Sequence, residues 1–306
     1  MTSASDAATP TTLSPGGTNA VGRILGLLGD EWTLLVIQQA LMGATRYGEF
    51  ADRLPISHSV LSNRLRSLTR DDLLEQRVYQ TNPTRAEYLT TARSRSLWPV
   101  LVTIWEWERR WVSDHAERLP AMRHITCDAD FDPQVTCRAC GETASEKDVV
   151  AQWGPSGSWS RSIPTTATRR RSSPDQHQAG LFPQTMSVLG NRWAFALLVA
   201  AFVGVSRFTD FQAQLGAPPG SIADRLSIFV ANGVLVSTDN RYRLTEKGRA
   251  LFPVLITALQ WAQRWFDRPE GPAVALTHTA CGQRFTAVLT CDQCTRPLRG
   301  TQVAAT

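Results

Sequence analysis

The chain has 306 residues, enough for about two domains of ordinary size, with 42% hydrophobic residues, a formal charge of +5 and a pI near 9.1. That charge leans towards a polyanionic partner, although many solvated surfaces are mildly basic. The longest uncharged apolar run, Trp193 to Val205, is too short to span a bilayer, and no basic stretch followed by an apolar core opens the chain, so no membrane span or signal peptide is expected and the expected setting is cytoplasmic with reduced thiols.

Residues 1–19 are mostly Thr, Ser, Ala, Pro and Gly and predict a disordered tail. Ile24, Leu25, Leu27 and Leu28 then predict a short helix ending near Gly29. Asp30 can cap a second helix, on which Trp32, Leu35, Val36 and Ala40 keep helical spacing. The stretch Arg46 to Arg70 reads as two short helices separated by a turn at Leu54-Pro55-Ile56. Ser57 is a good N-cap for the second of these. Leu61, Leu65 and Leu68 lie on one face of it, at i, i+4 and i+7. The other face offers His58, Ser59, Ser62, Asn63, Arg66 and Arg70, a set suited to base edges and phosphates in a major groove. A solvated amphipathic helix is the bland alternative. Val78-Tyr79 and Tyr88-Leu89 predict two short strands around a wing that holds Asn82, Pro83 and Arg85. A further helix is predicted from Thr91 to His115, with Leu97, Leu101, Ile104, Trp105 and Trp111 on one stripe. Trp98 and Trp107 lie off that stripe, and such spare aromatic surface suggests either a homodimer contact or packing within the domain.

The sequence then repeats. Leu28-Gly29-Asp30-Glu31-Trp32 recurs as Leu189-Gly190-Asn191-Arg192-Trp193, Arg46-Tyr47-Gly48-Glu49-Phe50 as Arg207-Phe208-Thr209-Asp210-Phe211, and Arg64-Leu65 as Arg225-Leu226, all at an offset of 161. Beyond the wing, Leu97-Trp98-Pro99-Val100-Leu101 recurs as Leu251-Phe252-Pro253-Val254-Leu255 at an offset of 154. The second copy has therefore lost seven residues, expected between its wing strands. Between the copies, Ala144 to Gly180 is rich in Ser, Thr, Arg, Pro and Gly and reads as a flexible linker. Its run Arg169-Arg170-Arg171-Ser172-Ser173 would be solvated, or would touch phosphates or flank a phosphorylation site.

These stretches resemble the HxlR-type winged helix-turn-helix regulators of bacteria. The resemblance rests on LGDEWTLLVIQQAL, RYGEF, SVLSNRLRSLTRDDLL, Asn82 to Tyr88 and the Leu97 to Trp111 helix, and in the second half on LGNRWAFALLVAA, RFTDF, SIADRLSIFVANGVL and YRLTEKGRALFPVL. It implies a small DNA-binding transcription factor in which Ser57 to Arg70 is the recognition helix and Arg85 lies on the wing beside the DNA. Some family members sense oxidants through a cysteine just before the first helix. Here Thr18, Asn19, Ala20 and Val21 stand there, so that route is not supported. Members usually carry one such domain, whereas this chain carries two.

Aligning the copies tests the DNA reading from within. His58, Ser59, Ser62, Arg66 and Arg70 face Pro219, Gly220, Ala223, Ser227 and Ala231, while Leu61, Leu65 and Leu68 face Ile222, Leu226 and Phe229. The second copy keeps its core and loses the groove-facing groups. Copy one is therefore the expected reader of double-stranded DNA, and because one chain offers one good helix, a homodimer is expected to supply the matched pair. Ser57, His58, Ser59, Ser62, Asn63, Arg64, Arg66, Arg70 and Arg85 form the expected DNA-binding set. Arg64 carries a caution, since Arg225 persists in the drifted copy and suggests a structural ion pair.

All six cysteines fall in two copies of one pattern, His124-x2-Cys127-x9-Cys137-x2-Cys140 and His278-x2-Cys281-x9-Cys291-x2-Cys294. A small hairpin between Cys127 and Cys137 would bring each set to one point, giving two closed Cys3His sites for structural zinc. Buried or paired cysteines without metal, or a thiol redox switch, are the alternatives.

The expected architecture is mainly α with small β wings: a tail (1–19), a DNA-reading winged helix (20–115), a Cys3His hairpin (116–143), a linker (144–180), a degenerate winged helix (181–269) and a second Cys3His hairpin (270–300). No nucleophile elbow, phosphate-cradling loop or open catalytic metal pattern is present, so an enzyme is not expected. The expected function is transcriptional regulation, with repression as the favoured sign and room for a small-molecule effector. The alternative is a ligand-sensing or protein-interaction module that uses the same scaffold without specific DNA binding.

Overall fold

The computed structural model describes residues 9–113, 119–163, 183–190 and 192–305. Copy one begins with a short strand β1 (Thr11–Thr12) and the helices α1 (Ala20–Leu28), α2 (Glu31–Leu41), α3 (Tyr47–Arg53) and α4 (His58–Arg70). The wing strands β2 (Leu74–Thr81) and β3 (Thr84–Thr90) follow, then α5 (Ala92–Arg95) and the long α6 (Trp98–Trp111). Strands β4 (Met122–His124), β5 (Ala129–Asp130), β6 (Pro133–Cys137) and β7 (Val149–Trp153) and helix α7 (Trp159–Ser162) lead to copy two. There α8 (Pro183–Leu189), α9 (Arg192–Phe202), α10 (Phe208–Leu215) and α11 (Pro219–Ala231) repeat the first four helices. The second wing is β8 (Leu235–Thr238) and β9 (Arg241–Leu244), followed by α12 (Glu246–Arg249), α13 (Phe252–Trp265), β10 (Phe266–Asp267), β11 (Val274–His278), β12 (Ala287–Cys291) and β13 (Val303–Ala305). No helix among the described residues is long and apolar enough to cross a membrane.

Local chemistry sets the helix starts. Asn19 accepts from the Gly22 amide at 3.0 Å and opens α1. Ser57 accepts from the Val60 amide and opens α4, whose Leu61, Leu65 and Leu68 are buried. Asp30 stands at the start of α2 but makes no side-chain cap to its backbone. It accepts from the Thr33 hydroxyl at 2.9 Å and pairs with Arg64 at 2.5 Å, so the carboxylate expected as a cap serves α4 instead. The seven-residue deficit lies in the second wing. Leu74 pairs with Thr90 at the base of the first hairpin and Leu235 with Leu244 at the base of the second, and the offset changes between those two strands.

The two copies pack as a two-fold pair within one chain. Helices α6 and α13 lie against each other, and the Thr103 and Thr257 hydroxyls, equivalent positions, approach to 3.5 Å. Trp107 Nε1 donates to the Lys247 carbonyl at 3.0 Å, and its counterpart Trp261 donates to the carbonyl of Arg93, the counterpart of Lys247, at 3.0 Å. Of the two tryptophans that suggested a homodimer, Trp107 is thus covered by the other copy, while Trp98 is half-buried.

The tail and the linker are more structured than their composition suggests. Thr11 and Thr12 pair in parallel with Phe266 and Asp267, Leu13 is buried, and the Arg268 guanidinium donates to the Ser14 and Thr18 carbonyls. Asn19 also donates to the Ser156 carbonyl at 3.1 Å and to the Ser162 hydroxyl at 3.0 Å. The segment 149–163, expected to be flexible, supplies β7, which pairs with β11 of copy two, and α7, which packs on α1. Few large apolar residues are needed there because backbone pairing and buried hydroxyls hold it. Residues 1–8, the arginine run 169–171 and the predicted end of the long helix at His115 lie outside the described residues.

Candidate nucleic-acid interface and metal centres

Helix α4 presents His58, Ser59, Asn63, Arg66 and Arg70 to solvent, and Arg85 stands exposed on the wing. Asn63 Oδ1 accepts from Arg66 at 2.8 Å, and the Ser67 hydroxyl accepts from Arg70 at 2.9 Å, so both guanidiniums are steered by neighbours one turn back. Ser57 is occupied as the N-cap. Ser62 is half-buried, and its hydroxyl donates to the Tyr47 oxygen. Tyr47 was not among the residues expected from sequence. Its ring stacks on His58 with centroids 5.9 Å apart, and its hydroxyl lies 3.0 Å from His58 Nδ1. In copy two Tyr47, His58 and Ser62 become Phe208, Pro219 and Ala223. That joint loss was the available signal, because the three polar groups form one cluster.

Arg64 belongs to a different set. Its contact with Asp30 ties α4 to the start of α2, with side-chain exposures of 26% and 19%. Arg225, its counterpart, is also half-buried, and burial lowers its pKa. Arg64 therefore fits the helix to its own domain, and Arg225 keeps the same half-buried setting in the drifted copy. The exposed face of α11 is Pro219, Gly220, Ala223, Asp224, Ser227, Val230 and Ala231, and offers no cation.

The eight cysteine and histidine residues gather into two tetrads, but not along the chain. His124 and Cys127 of copy one meet Cys291 and Cys294 of copy two, and Cys137 and Cys140 of copy one meet His278 and Cys281 of copy two. In each set one ligand atom per residue lies within 4.8 Å of the others. The expectation of one site per copy is corrected: each site takes half its ligands from each copy. The reason is β6. Between Cys127 and Cys137 only Ala129–Asp130 turn back, onto β4; Pro133–Cys137 then run as a strand antiparallel to β12, with Val135 opposite Leu289, its own counterpart. That strand carries Cys137 and Cys140 across the two-fold line. Strands β7 and β13 cross in the same way, Val149 facing His278 and Val303 facing His124.

Each tetrad consists of two tight turns of identical plan. The amide four residues after the first ligand bonds back to that ligand's carbonyl: Asp128 to His124, Gly141 to Cys137, Gly282 to His278 and Thr295 to Cys291, at 2.8–2.9 Å. The four donors all have positive φ. Asp128 and Thr295 hold this conformation without the freedom of glycine, so the turns are defined by more than residue type. The imidazole Nδ1 atoms face the sulfurs: His124 is 3.3 Å from Cys127 and 3.4 Å from Cys294, and His278 is 3.3 Å from Cys281 and 3.4 Å from Cys140. Cys127 and Cys291 lie 3.8 Å apart, far beyond a disulfide, and all six thiols are free. A tetrahedral ion with bonds of about 2.3 Å to sulfur and about 2.0 Å to nitrogen has edges of roughly 3.5–3.8 Å, which these separations match. Both clusters are thus able to hold a metal ion. Burial pushes the Cys291 thiol up to about 11, so an ion bound there must displace a proton.

Comparison with known families finds one helix-turn-helix domain twice in this chain. The model of the HxlR-like helix-turn-helix family matches residues 27–116 and again 188–270. An uncharacterised HTH-type transcriptional regulator of Mycobacterium tuberculosis is 35% identical over 136 residues, which span 44% of this chain and 86% of the relative. The uncharacterised HTH-type transcriptional regulator YvaP of Bacillus subtilis is 32% identical over 91 residues, 29% of this chain and 84% of its own. Among solved structures, a candidate transcription factor of Pseudomonas aeruginosa aligns with a TM-score of 0.36 and 26% identity, over 47% of this chain and 97% of that one.

Proposed function

The chain belongs to the HxlR-like helix-turn-helix family, whose domain it carries twice, and on that premise we propose that it is a transcriptional regulator that reads operator DNA with α4 and the β2–β3 wing. Its relatives are named as regulators, not enzymes. The observation that carries the reading is the contrast between two matched scaffolds: α4 exposes His58, Ser59, Asn63, Arg66 and Arg70, while α11 exposes none of their counterparts' chemistry. Arg66, Arg70 and Arg85 engage phosphates or guanine edges, and Ser59, Asn63 and His58 face bases or backbone. Ser62 acts through Tyr47, and Ser57 and Arg64 hold the helix in place.

A symmetric operator needs two matched helices about one helical turn apart. Trp107, part of the surface that argued for a homodimer, packs inside the chain against copy two, so in this reading one chain is the binding unit, with a well-read half-site under α4 and a weakly read one under α11. The two tetrads hold structural zinc, chosen for three thiolates and one imidazole with no open position. The sign we propose is repression, which needs only occupancy of promoter DNA.

The test is a footprint on the DNA flanking the protein's own gene, with Arg66→Ala and Ser227→Ala beside the wild type. Protection should be unequal between half-sites, lost with Arg66→Ala and kept with Ser227→Ala. Arginine contacts to phosphate also predict affinity that falls steeply with salt. Protection indifferent to Arg66→Ala, or none at all, would favour an interaction or ligand-sensing module.

A further inference from the structure

One cleft breaks the two-fold relationship. It has a volume of about 480 Å³ and lies between the end of α13, the start of α6 and the crossed strands around β12. Trp98, Trp261 and Phe285 give it apolar ring surface, and Arg138, Arg264 and Arg284 line it with positive charge. Arg138 comes from copy one, brought there by the turn between Cys137 and Cys140, where its amide donates to the Thr286 carbonyl at 2.9 Å. The other two arginines come from copy two.

At the counterpart positions, found through the offset of 154, Arg264 keeps its charge as Arg110, but two of the three arginines and Gln260 meet the opposite chemistry. Arg138 corresponds to Asp292, Arg284 to Asp130 and Gln260 to Glu106. On that side the charges satisfy each other. Arg109 pairs with Glu106 at 2.8 Å and with Asp132, Arg123 pairs with Asp130 at 3.4 Å, and Asp292 accepts from the Asp132 amide at 2.9 Å. In the cleft the corresponding glutamines are committed to backbone. Gln260 bonds both polar groups of Ala287, and Gln263 accepts from the Val274 amide at 2.8 Å. Among the described residues, no carboxylate pairs with Arg138, Arg264 or Arg284. Arg264 stacks on Trp265 at 5.4 Å.

We propose that this cleft binds a small organic anion, an apolar ring body carrying a carboxylate. Its volume lies within the range of small-molecule sites, which combine apolar walls with a few convergent polar groups. Planar guanidiniums suit a carboxylate because they can grip both oxygens, and the ring walls take the remainder of the molecule. One copy has filled its own version of the site with ion pairs, and the other has left three cations around an apolar floor. Calling the ligand an effector rests on the regulator reading above, but its binding does not.

The test is a titration of the full-length, metal-replete protein, without DNA, with 2-naphthoate and with neutral 2-naphthamide, read by calorimetry and tryptophan fluorescence. One saturable 2-naphthoate site per chain is expected, with the amide at least about tenfold weaker. Arg138→Asp/Arg284→Asp should weaken 2-naphthoate by at least about tenfold, and the milder Arg138→Gln/Arg284→Gln should weaken it in the same direction, with metal content and melting temperature checked in both. Asp130→Asn, on the ion-paired side, should leave binding unchanged. The proposal is overturned by no saturable 2-naphthoate binding up to millimolar concentration, by equal binding of the amide, or by folded variants that bind like the wild type. Such a result would leave operator reading untouched, since the footprint tests that separately.

Discussion

Thr103 and Thr257 meet hydroxyl to hydroxyl at 3.5 Å where α6 crosses α13, each bonded as well to the carbonyl four residues back on its own helix. Equivalent residues that touch one another mark the line about which the two halves are related, and the aromatic residues around them carry much of the adhesion. Trp107→Ala and Trp261→Ala should each cost about 3–5 kcal/mol, the range for emptying a buried aromatic site. Trp107→Phe, which keeps most of the ring and loses the bond to Lys247, should cost about 1 kcal/mol. Denaturant unfolding of the intact chain checks both.

The exchange of ligands makes a sharp count. Cys127→Ser/Cys291→Ser removes two members of one tetrad and should leave one metal ion per chain. Cys127→Ser/Cys137→Ser removes one member of each and should leave none held tightly. Sites closed within each copy would give the reverse, because the second pair would then spoil a single site. Metal analysis of protein purified without chelator decides between them.

Arg64→Ala should lower stability and leave DNA recognition less affected than Arg66→Ala does. The Arg64–Asp30 contact is partly exposed, so a double-mutant cycle should return a coupling of about 0.5–1 kcal/mol. DNA affinity of Arg66→Ala should fall by about 1–3 kcal/mol if its contact is to guanine. If Arg64→Ala proved the more damaging to binding at unchanged stability, Arg64 would return to the reading face.

Glu49 accepts from the Thr45 amide at 2.7 Å and the Arg46 amide at 3.0 Å, and these bonds hold its carboxyl below the usual glutamate range. A depressed folded-state pKa gives stability that is present above the unfolded value of about 4.5 and is lost as pH falls through the folded one. The protection factors of the Thr45 and Arg46 amides, taken against their intrinsic exchange rates at each pH, should therefore fall on acidification through that window. Glu49→Gln should remove the pH dependence of protection at these two amides.

Much of this molecule was readable before its structure. The spacing of Leu61, Leu65 and Leu68 set the inner face of α4, and the change of offset placed the shortened wing. Ligand identity was readable too, because Cys-x2-Cys and His-x2-Cys bring two donors to one point. Their partnership was not, since the same spacing serves a site closed within a copy or between copies. Only the pairing of β6 with β12 distinguishes them, and strand pairing at this sequence distance leaves no local mark. Tyr47 was hidden for a similar reason: its role depends on His58 and Ser62, one turn away on another helix. The segment Val149 to Trp153 was apolar enough to read as a strand, but its surroundings are compositionally those of a linker.

The crossed tetrads also impose an order on synthesis. A ribosome that has released everything up to residue 143 has made four of the eight ligands, two for each site, and has completed neither site. The set begun by Cys137 and Cys140 is complete only once Cys281 is made, and the set begun by His124 and Cys127 only once Cys294 is made. A metal ion in either set would therefore join the two halves only after copy two is made, and copy one alone could not present a finished, metal-bound half. Helices α4 and α11 supply none of the eight cysteines and histidines, so in the proposed reading α11 can lose its contacts to DNA while both tetrads stay in place.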